Sequence, residues 1–374
     1  MSDKTSLHFG KTVDYGTLPS GDNSSISLTT WPRFKRLLDR SVEAGKLNSQ
    51  DVVSTYALVY TDYKVAGTYE GGVLSQNGDI HFVLFNTPVG QKVSTSGTVS
   101  TYSLIYTSTA AYRGGILASN GDIHFIPVAN IGQKISASGT VSTYSLVYTT
   151  SYTYLGGVLA SNGDIHFIPN VASVGQKISS AGVVSTYSLV YTGHYYGGGV
   201  LASNGDIHFV PFFNAAVGQK INSSGVVSTY SLVYTANTST YQGGVLATNG
   251  DIHFVPYFAK VGQKVSITGA VSTYSLVYTN SSEGYQGGVL SPAGDIHFIP
   301  YCASVGQKVS ALGVVSTYSL AYTNSSGAYI GGILSPNGDI HFIPYSAPVG
   351  QKISTQSALP FSLGVCCSPY FNKF

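Results

Sequence analysis

The sequence predicts an all-β fold, a seven-bladed β-propeller of four-stranded antiparallel blades, and three observations lead there. The pentapeptide Gly-Asp-Ile-His-Phe occurs seven times, placing histidines at His81, His124, His166, His208, His253, His297 and His341. Successive copies stand 43, 42, 42, 45, 44 and 44 residues apart, the unit length of propeller blades and far longer than a β-helix rung. Each unit holds four short β-rich segments separated by turn signals, with no 3.6-residue period.

Taken in chain order, residues 1–30 are polar and rich in Ser, Thr and Gly, and read as an extended arm. Residues 31–45 read as a short helix, with Pro32 in its first turn and Phe34, Leu37, Leu38 and Val42 on its apolar face. Residues 46–354 form the propeller, and the apolar tail 355–374 follows it. Within a unit, strand a is "STYSLVYT", b is "GGVLA", c is "DIHFIP" and d is "QKIS". Asn-Gly separates b from c in six copies and predicts a two-residue type I′ hairpin. That turn sets Leu117 opposite His124, and the sixth copy, with Ala293-Gly294, is expected to turn slightly differently. A further copy of strand d precedes the first strand a, so either "KLNS" near the N-terminus or the last "QKIS" closes the ring.

The unit resembles propeller repeats with a GGVL-x-x-NG-x-I-x-F-I-P core, found in bacterial and large-virus proteins. The resemblance covers roughly residues 46–354 and implies a fold and a binding surface without a specific reaction. The WD dipeptide of ordinary WD40 repeats is missing, as is the tryptophan of kelch repeats.

Only 9% of residues are charged, against about 25% in an average protein. The seven repeat aspartates balance seven lysines, Lys92, Lys134, Lys177, Lys220, Lys264, Lys308 and Lys352, in the "GQK" segments. No basic stripe results, which argues against nucleic acid as a primary partner. Arg33, Lys35, Arg36 and Arg40 cluster in the predicted helix and read as a solvated face. Cys302, Cys366 and Cys367 match neither a disulfide framework nor a zinc motif. No Sec-type signal peptide opens the sequence and no apolar run is long enough for a membrane span, so a soluble chain is expected, intracellular or carried in a virus particle.

The histidines and aspartates could be metal ligands, catalytic groups or framework. Seven identical copies lack the asymmetry of a catalytic site. The pairs Asp79 and His81, Asp122 and His124, Asp164 and His166, Asp206 and His208, Asp251 and His253, Asp295 and His297, and Asp339 and His341 therefore read as one structural hydrogen-bond network per blade. No metal and no cofactor are expected.

Difference between copies is concentrated in the a–b and c–d loops, which leave an up-down blade on one side. Their aromatics are candidate contact residues: Tyr63, Tyr152, Tyr195, Phe212, Phe213, Tyr257, Phe258, Tyr301 and Tyr345. A tyrosine before each Gly-Gly pair (Tyr69, Tyr112, Tyr154, Tyr196, Tyr241, Tyr285 and Tyr329) reads as packing. Low charge, near-identical blades and two arms point to a structural or assembly protein that binds other subunits or itself, as in a virus particle or surface layer. The alternative is a lectin-like module for glycans. With loop acids limited mainly to Asp62, Glu70 and Glu283, and no familiar catalytic motif, no enzymatic activity is expected.

Overall fold

The computed structural model describes residues 6–8, 12–14 and 51–354, apart from 62–66, 129, 151, 193–194, 237–238 and 280–282. The predicted helix 31–45, the "KLNS" segment, the tail and Tyr63 lie outside the described residues. The chain divides into two compact units, Asp51–Gln356 and a second one of Met1–Gln50 with Ser357–Phe374. In the second unit, Ser6–His8 pairs antiparallel with Thr12–Asp14, within the stretch that the sequence suggested was an extended arm. Among the described residues no helix is long and apolar enough to cross a membrane.

The unit Asp51–Gln356 is a seven-bladed propeller of four-stranded antiparallel sheets. Blade one runs from the inner strand Tyr69–Leu74 through Ile80–Leu84 and Val89–Val93 to the outer strand Val99–Ser103. The sheet order is thus b, c, d, a, so each "VSTYS" closes the blade of the preceding strand d. Blade seven is completed across the chain termini, because Val52–Ala57 pairs with Val349–Ser354. The last "QKIS" therefore closes the ring, with the N-terminal strand as its outer neighbour. Each outer strand is hydrogen-bonded on one side only, so every blade keeps one open sheet edge. Thr and Ser are the exposed residues in the middle of these strands, and exposed Val or Ile side chains such as Val59, Ile105 and Val147 stand just beyond them.

The b–c hairpin also departs from the expected register. The Ala118 N–H donates to Asp122 O at 2.8 Å and the Gly121 N–H to Ala118 O at 2.9 Å. Leu117 then faces Ile123, and Ile116 faces His124. The loop has three residues, a type I turn closed by one left-handed residue, Gly121 at φ 87°. Only the glycine needs positive φ, which is why Ala293 can replace the asparagine. Gly294 sits at φ 86° and keeps the same bond, to Ser291 O at 2.9 Å. The asparagine's own service is to accept the Asp122 N–H at 3.1 Å; in blade six the Ser291 hydroxyl accepts the Asp295 N–H at 3.2 Å instead.

Blades pack face to face, so the core lies between them. Val73, Val83 and Leu84 of blade one cluster with Tyr112, Ile123, Phe125 and Ile135 of blade two, and Ile343 of blade seven clusters with Tyr69, Ile80, Phe82 and Val93 of blade one. The seven tyrosines before Gly-Gly are fully buried in these seams. At the axis the inner strands meet backbone to backbone. Gly71 has φ 99°, and a Cβ there would stand 2.8 Å from Gly114 Cα, so a larger residue would push the blades apart.

Strand direction alternates outward from the axis. The short b–c and d–a turns therefore share one end of the strands, the turn end, and the varied c–d and a–b connections share the other, the loop end.

Candidate functional site

Each blade holds one copy of a polar network. His124 lies opposite Lys134, and its Nδ1 is 3.4 Å from the Tyr144 hydroxyl of the outer strand. The same contact spans 3.2–3.4 Å for His81, His166, His208, His253, His297 and His341, the last to Tyr56 across the chain closure. The tyrosine reaches inward because the third strand has a glycine opposite it. A Cβ on Gly90 would lie 2.2 Å from the Tyr102 ring. Burial lowers each histidine to about 4, and the neighbouring lysine adds to the shift in all seven. The rings are neutral at pH 7, and a neutral imidazole bonded to a neutral phenol suits an enclosed site.

The aspartates pair with the lysines of the same blade. Lys92–Asp79, Lys134–Asp122, Lys177–Asp164, Lys220–Asp206, Lys264–Asp251 and Lys352–Asp339 span 2.5–2.7 Å. Lys308 differs, taking Asp51 at 2.6 Å as well as Asp295 at 3.0 Å. It ties the start of the closing strand to blade six. The buried glutamine of "GQK" carries a role that the sequence reading missed. Gln133 Oε1 accepts the Ile105 and Tyr106 N–H groups at 3.0 and 2.8 Å, clamping the crossover arriving from the preceding blade. Gln91, Gln176, Gln219, Gln263, Gln307 and Gln351 repeat this clamp. Among the described residues no three His, Cys, Asp or Glu side chains are grouped so that they could hold a metal ion.

The loop end is where the sevenfold repeat breaks. The residue that follows each six-residue segment of the "DIHFIP" type is Phe85, Val128, Asn170, Phe212, Tyr257, Tyr301 or Tyr345. Five of these are aromatic and touch in series from blade four to blade one. Phe212 meets Tyr257 at 5.7 Å between centroids, Tyr257 meets Tyr301 at 5.9 Å, Tyr301 meets Tyr345 at 5.4 Å, and Tyr345 meets Phe85 at 6.4 Å. All but Phe85 are half-buried. Val128 and Asn170 interrupt the arc in blades two and three.

Where the arc stops, a charged pair appears. The residue between the buried tyrosine and Gly-Gly in each inner strand is Glu70, Arg113, Leu155, Gly197, Gln242, Gln286 or Ile330. Arg113 Nε stands 3.1 Å from Glu70 Oε2, an ion pair without a well-aligned hydrogen bond. The guanidinium also lies 5.2 Å from the Phe85 ring centroid and 5.8 Å from that of Tyr152. Burial raises the Glu70 carboxyl to about 7 despite the opposing pull of Arg113. On the other side of the arc, the Glu283 carboxylate lies against the Tyr257 hydroxyl, and its charge is felt at Tyr301 and Tyr345.

The contact candidates from the sequence thus fall into groups. Phe212, Tyr257, Tyr301 and Tyr345 join in the arc, with Phe258 beside Tyr257 at 5.2 Å. Tyr195 and Phe213 pair at 5.3 Å on a hairpin that extends blade four. Tyr152 is half exposed beside Arg113. Phe85 and Arg113 were not singled out in the sequence, and Glu70 was noted only as a loop acid. Comparing the second position of the seven Tyr-x-Gly-Gly segments would have exposed Glu70 and Arg113.

No family profile and no curated protein matches the chain. Solved structures do. A streptogramin B lyase is 21% identical with a TM-score of 0.70, over 81% of this chain and 97% of that one. The virginiamycin B lyase from Staphylococcus aureus is 17% identical with a TM-score of 0.71, over 82% and 99%. The WD40 propeller domain of Doa1 is 13% identical with a TM-score of 0.62, over 81% and 97%. At these identities the likeness is one of fold. It nevertheless corrects the expectation that the chain has no enzymatic activity, because lyases are built on the same frame and the want of a familiar motif excludes nothing. The chain is a seven-bladed propeller, a fold that it shares with these lyases and with a WD40 domain.

Proposed function

We propose that this propeller is an interaction scaffold whose loop end binds other protein subunits, copies of itself included, of the kind that build a virus particle or surface layer. The observation that carries this reading is the half-buried aromatic arc from Phe212 to Tyr345, which continues to Phe85. Rigid aromatic faces on a strand-built frame give large contact area at small entropy cost. The arc covers five blades and is broken in two, which favours one asymmetric partner over seven equal sugar sites. The test is cross-linked capture from native extract with wild type, a Tyr257→Ala/Tyr301→Ala double variant, and Leu312→Ser. Leu312 is 88% exposed in a d–a turn, at the opposite end of the strands. Partners held by wild type and Leu312→Ser but lost by the double variant support the reading. Equal capture by all three refutes it, and binding on a glycan array that the double variant abolishes would replace it with the carbohydrate alternative.

A further inference from the structure

We infer that the loop-end mouth across blades five to seven is a seat for an organic cation, the guanidinium or ammonium group of a partner side chain, held over the Tyr257, Tyr301 and Tyr345 rings with Glu283 as its counter-charge. The inference rests on the scaffold reading for the partner, but the seat itself is argued from the chain's own chemistry.

The chain contains an internal precedent. At the other end of the same arc, the Arg113 guanidinium lies over Phe85 and Tyr152 and faces Glu70. Aromatic face, carboxylate and cation are all present there, and the cation is supplied from within. At blades five to seven the first two elements recur. Tyr257, Tyr301 and Tyr345 contact in series with interplanar angles of 40° and 57°. The Glu283 carboxylate lies beside Tyr257. Among the described residues the third element does not recur at the matching place, since the inner-strand positions that correspond to Arg113 are Gln242, Gln286 and Ile330. Among the described residues Glu283 forms no ion pair.

The faces of these rings carry the negative side of the aromatic quadrupole, and a nearby carboxylate adds to the same potential. A planar guanidinium suits tilted rings better than a hydrated ammonium, because it stacks and is more weakly hydrated. A neutral group lacks the charge–charge attraction to Glu283, and an anionic group is repelled by it. Tyr345 stands between the two carboxylates, feeling both Glu70 and Glu283 together with Arg113, so an added cation would complete an alternation of charge around the mouth.

The test uses the full chain with labelled tyrosine rings, followed by NMR during addition of acetyl-arginine-amide. Its neutral isostere acetyl-citrulline-amide is the control. Addition to about 50 mM reaches beyond the millimolar affinity expected of one small cation on a few rings. The expected result is saturable shifts at Tyr257, Tyr301 and Tyr345 with the arginine probe alone. Glu283→Gln should weaken binding about three- to tenfold, while Leu312→Ser, at the opposite end of the strands, leaves it unchanged. If Glu283→Gln fails to fold, Tyr301→Leu serves in its place with the same expected weakening. No shift at these rings, or equal shifts with citrulline, overturns the inference. Loss of the probe response with extract capture intact removes only the cation seat, whereas capture lost with the probe response kept would refute only the scaffold reading.

Discussion

His124 and Arg113 belong to the same blade and to opposite regimes. The histidine sits in the second strand, opposite Ile116 and Lys134, and has six counterparts with the same tyrosine contact. The arginine sits in the inner strand near the loop end and has none. Its six equivalents are a glutamate, two glutamines, a leucine, an isoleucine and a glycine. Between strands, each residue must fit two neighbouring blades that are themselves repeats, so a change in one copy meets the same walls as in every other. At the loop end the walls stop, and side chains answer to whatever approaches from outside. Repetition therefore reports enclosure, and variation reports contact.

The largest test of this contrast is acidification. The histidines are lowered from 6.5 to about 4 by burial, so the unfolded chain takes up protons that the folded one refuses. Their contribution to stability is complete above pH 6.5 and is lost as pH falls toward 4. One pH unit below 6.5 each costs about 1.4 kcal/mol, and seven cost about 10 kcal/mol. That rivals the whole stability of a typical domain, roughly 5–15 kcal/mol. Circular dichroism against pH should show the propeller unfolding well before pH 4 with uptake of several protons. A fold intact at pH 4 would mean the rings are not enclosed.

Removing the clamp at one crossover should come next. Gln263→Ala leaves the Val233 and Tyr234 N–H groups without their acceptor and should cost about 1–3 kcal/mol in chemical denaturation. Gly175→Ala puts a methyl 2.2 Å from the Tyr187 ring and should cost a similar amount, about 1–3 kcal/mol, while disturbing the His166 contact. Loss of stability without change in partner capture is the framework signature.

Smaller effects distinguish the lysines. Lys134→Met breaks one half-exposed pair and should cost at most about 1 kcal/mol. Lys308→Met should cost more, since it strands two carboxylates and loosens the chain closure. Equal losses in urea titrations would argue that Asp51 does not help to latch the ring. At the mouth the pH dependence reverses sign. Glu70 is raised to about 7 by burial, so its contribution is present below pH 4.5 and is lost as pH rises through 7. A small fall in melting temperature from pH 6.5 to 8.5 should vanish in Glu70→Gln. The smallest effect is that of Tyr152→Ala, within about 0.5 kcal/mol, because that ring is half exposed.

The blade count, the strand segments and the enclosed Tyr69-type residues were legible because spacing and turn chemistry repeat seven times. The hairpin register was not, because Asn-Gly serves both a two-residue turn and a three-residue one, and only the backbone bond from Gly121 to Ala118 distinguishes them. Sheet order was hidden for a similar reason: "VSTYS" continues into "LVYT" without a break, yet it closes one blade before the chain crosses to the next. The mouth was half legible. Aromatic loop residues such as Tyr257 and Tyr301 stand out by their irregularity, whereas Arg113 and Glu70 hide at a position flanked by repeated residues. The ion pair forms only because the ring brings neighbouring inner strands together.

The central claim is that the repeated histidines are enclosed framework. Imidazole NMR of the labelled full chain tests it most directly, with pH lowered from 8 to the onset of unfolding and zinc then added at pH 7.5. The account predicts seven neutral rings that neither titrate while the chain is folded nor respond to the metal. A folded-state titration near 6.5, or a zinc-dependent shift shared by several of the seven, would contradict it.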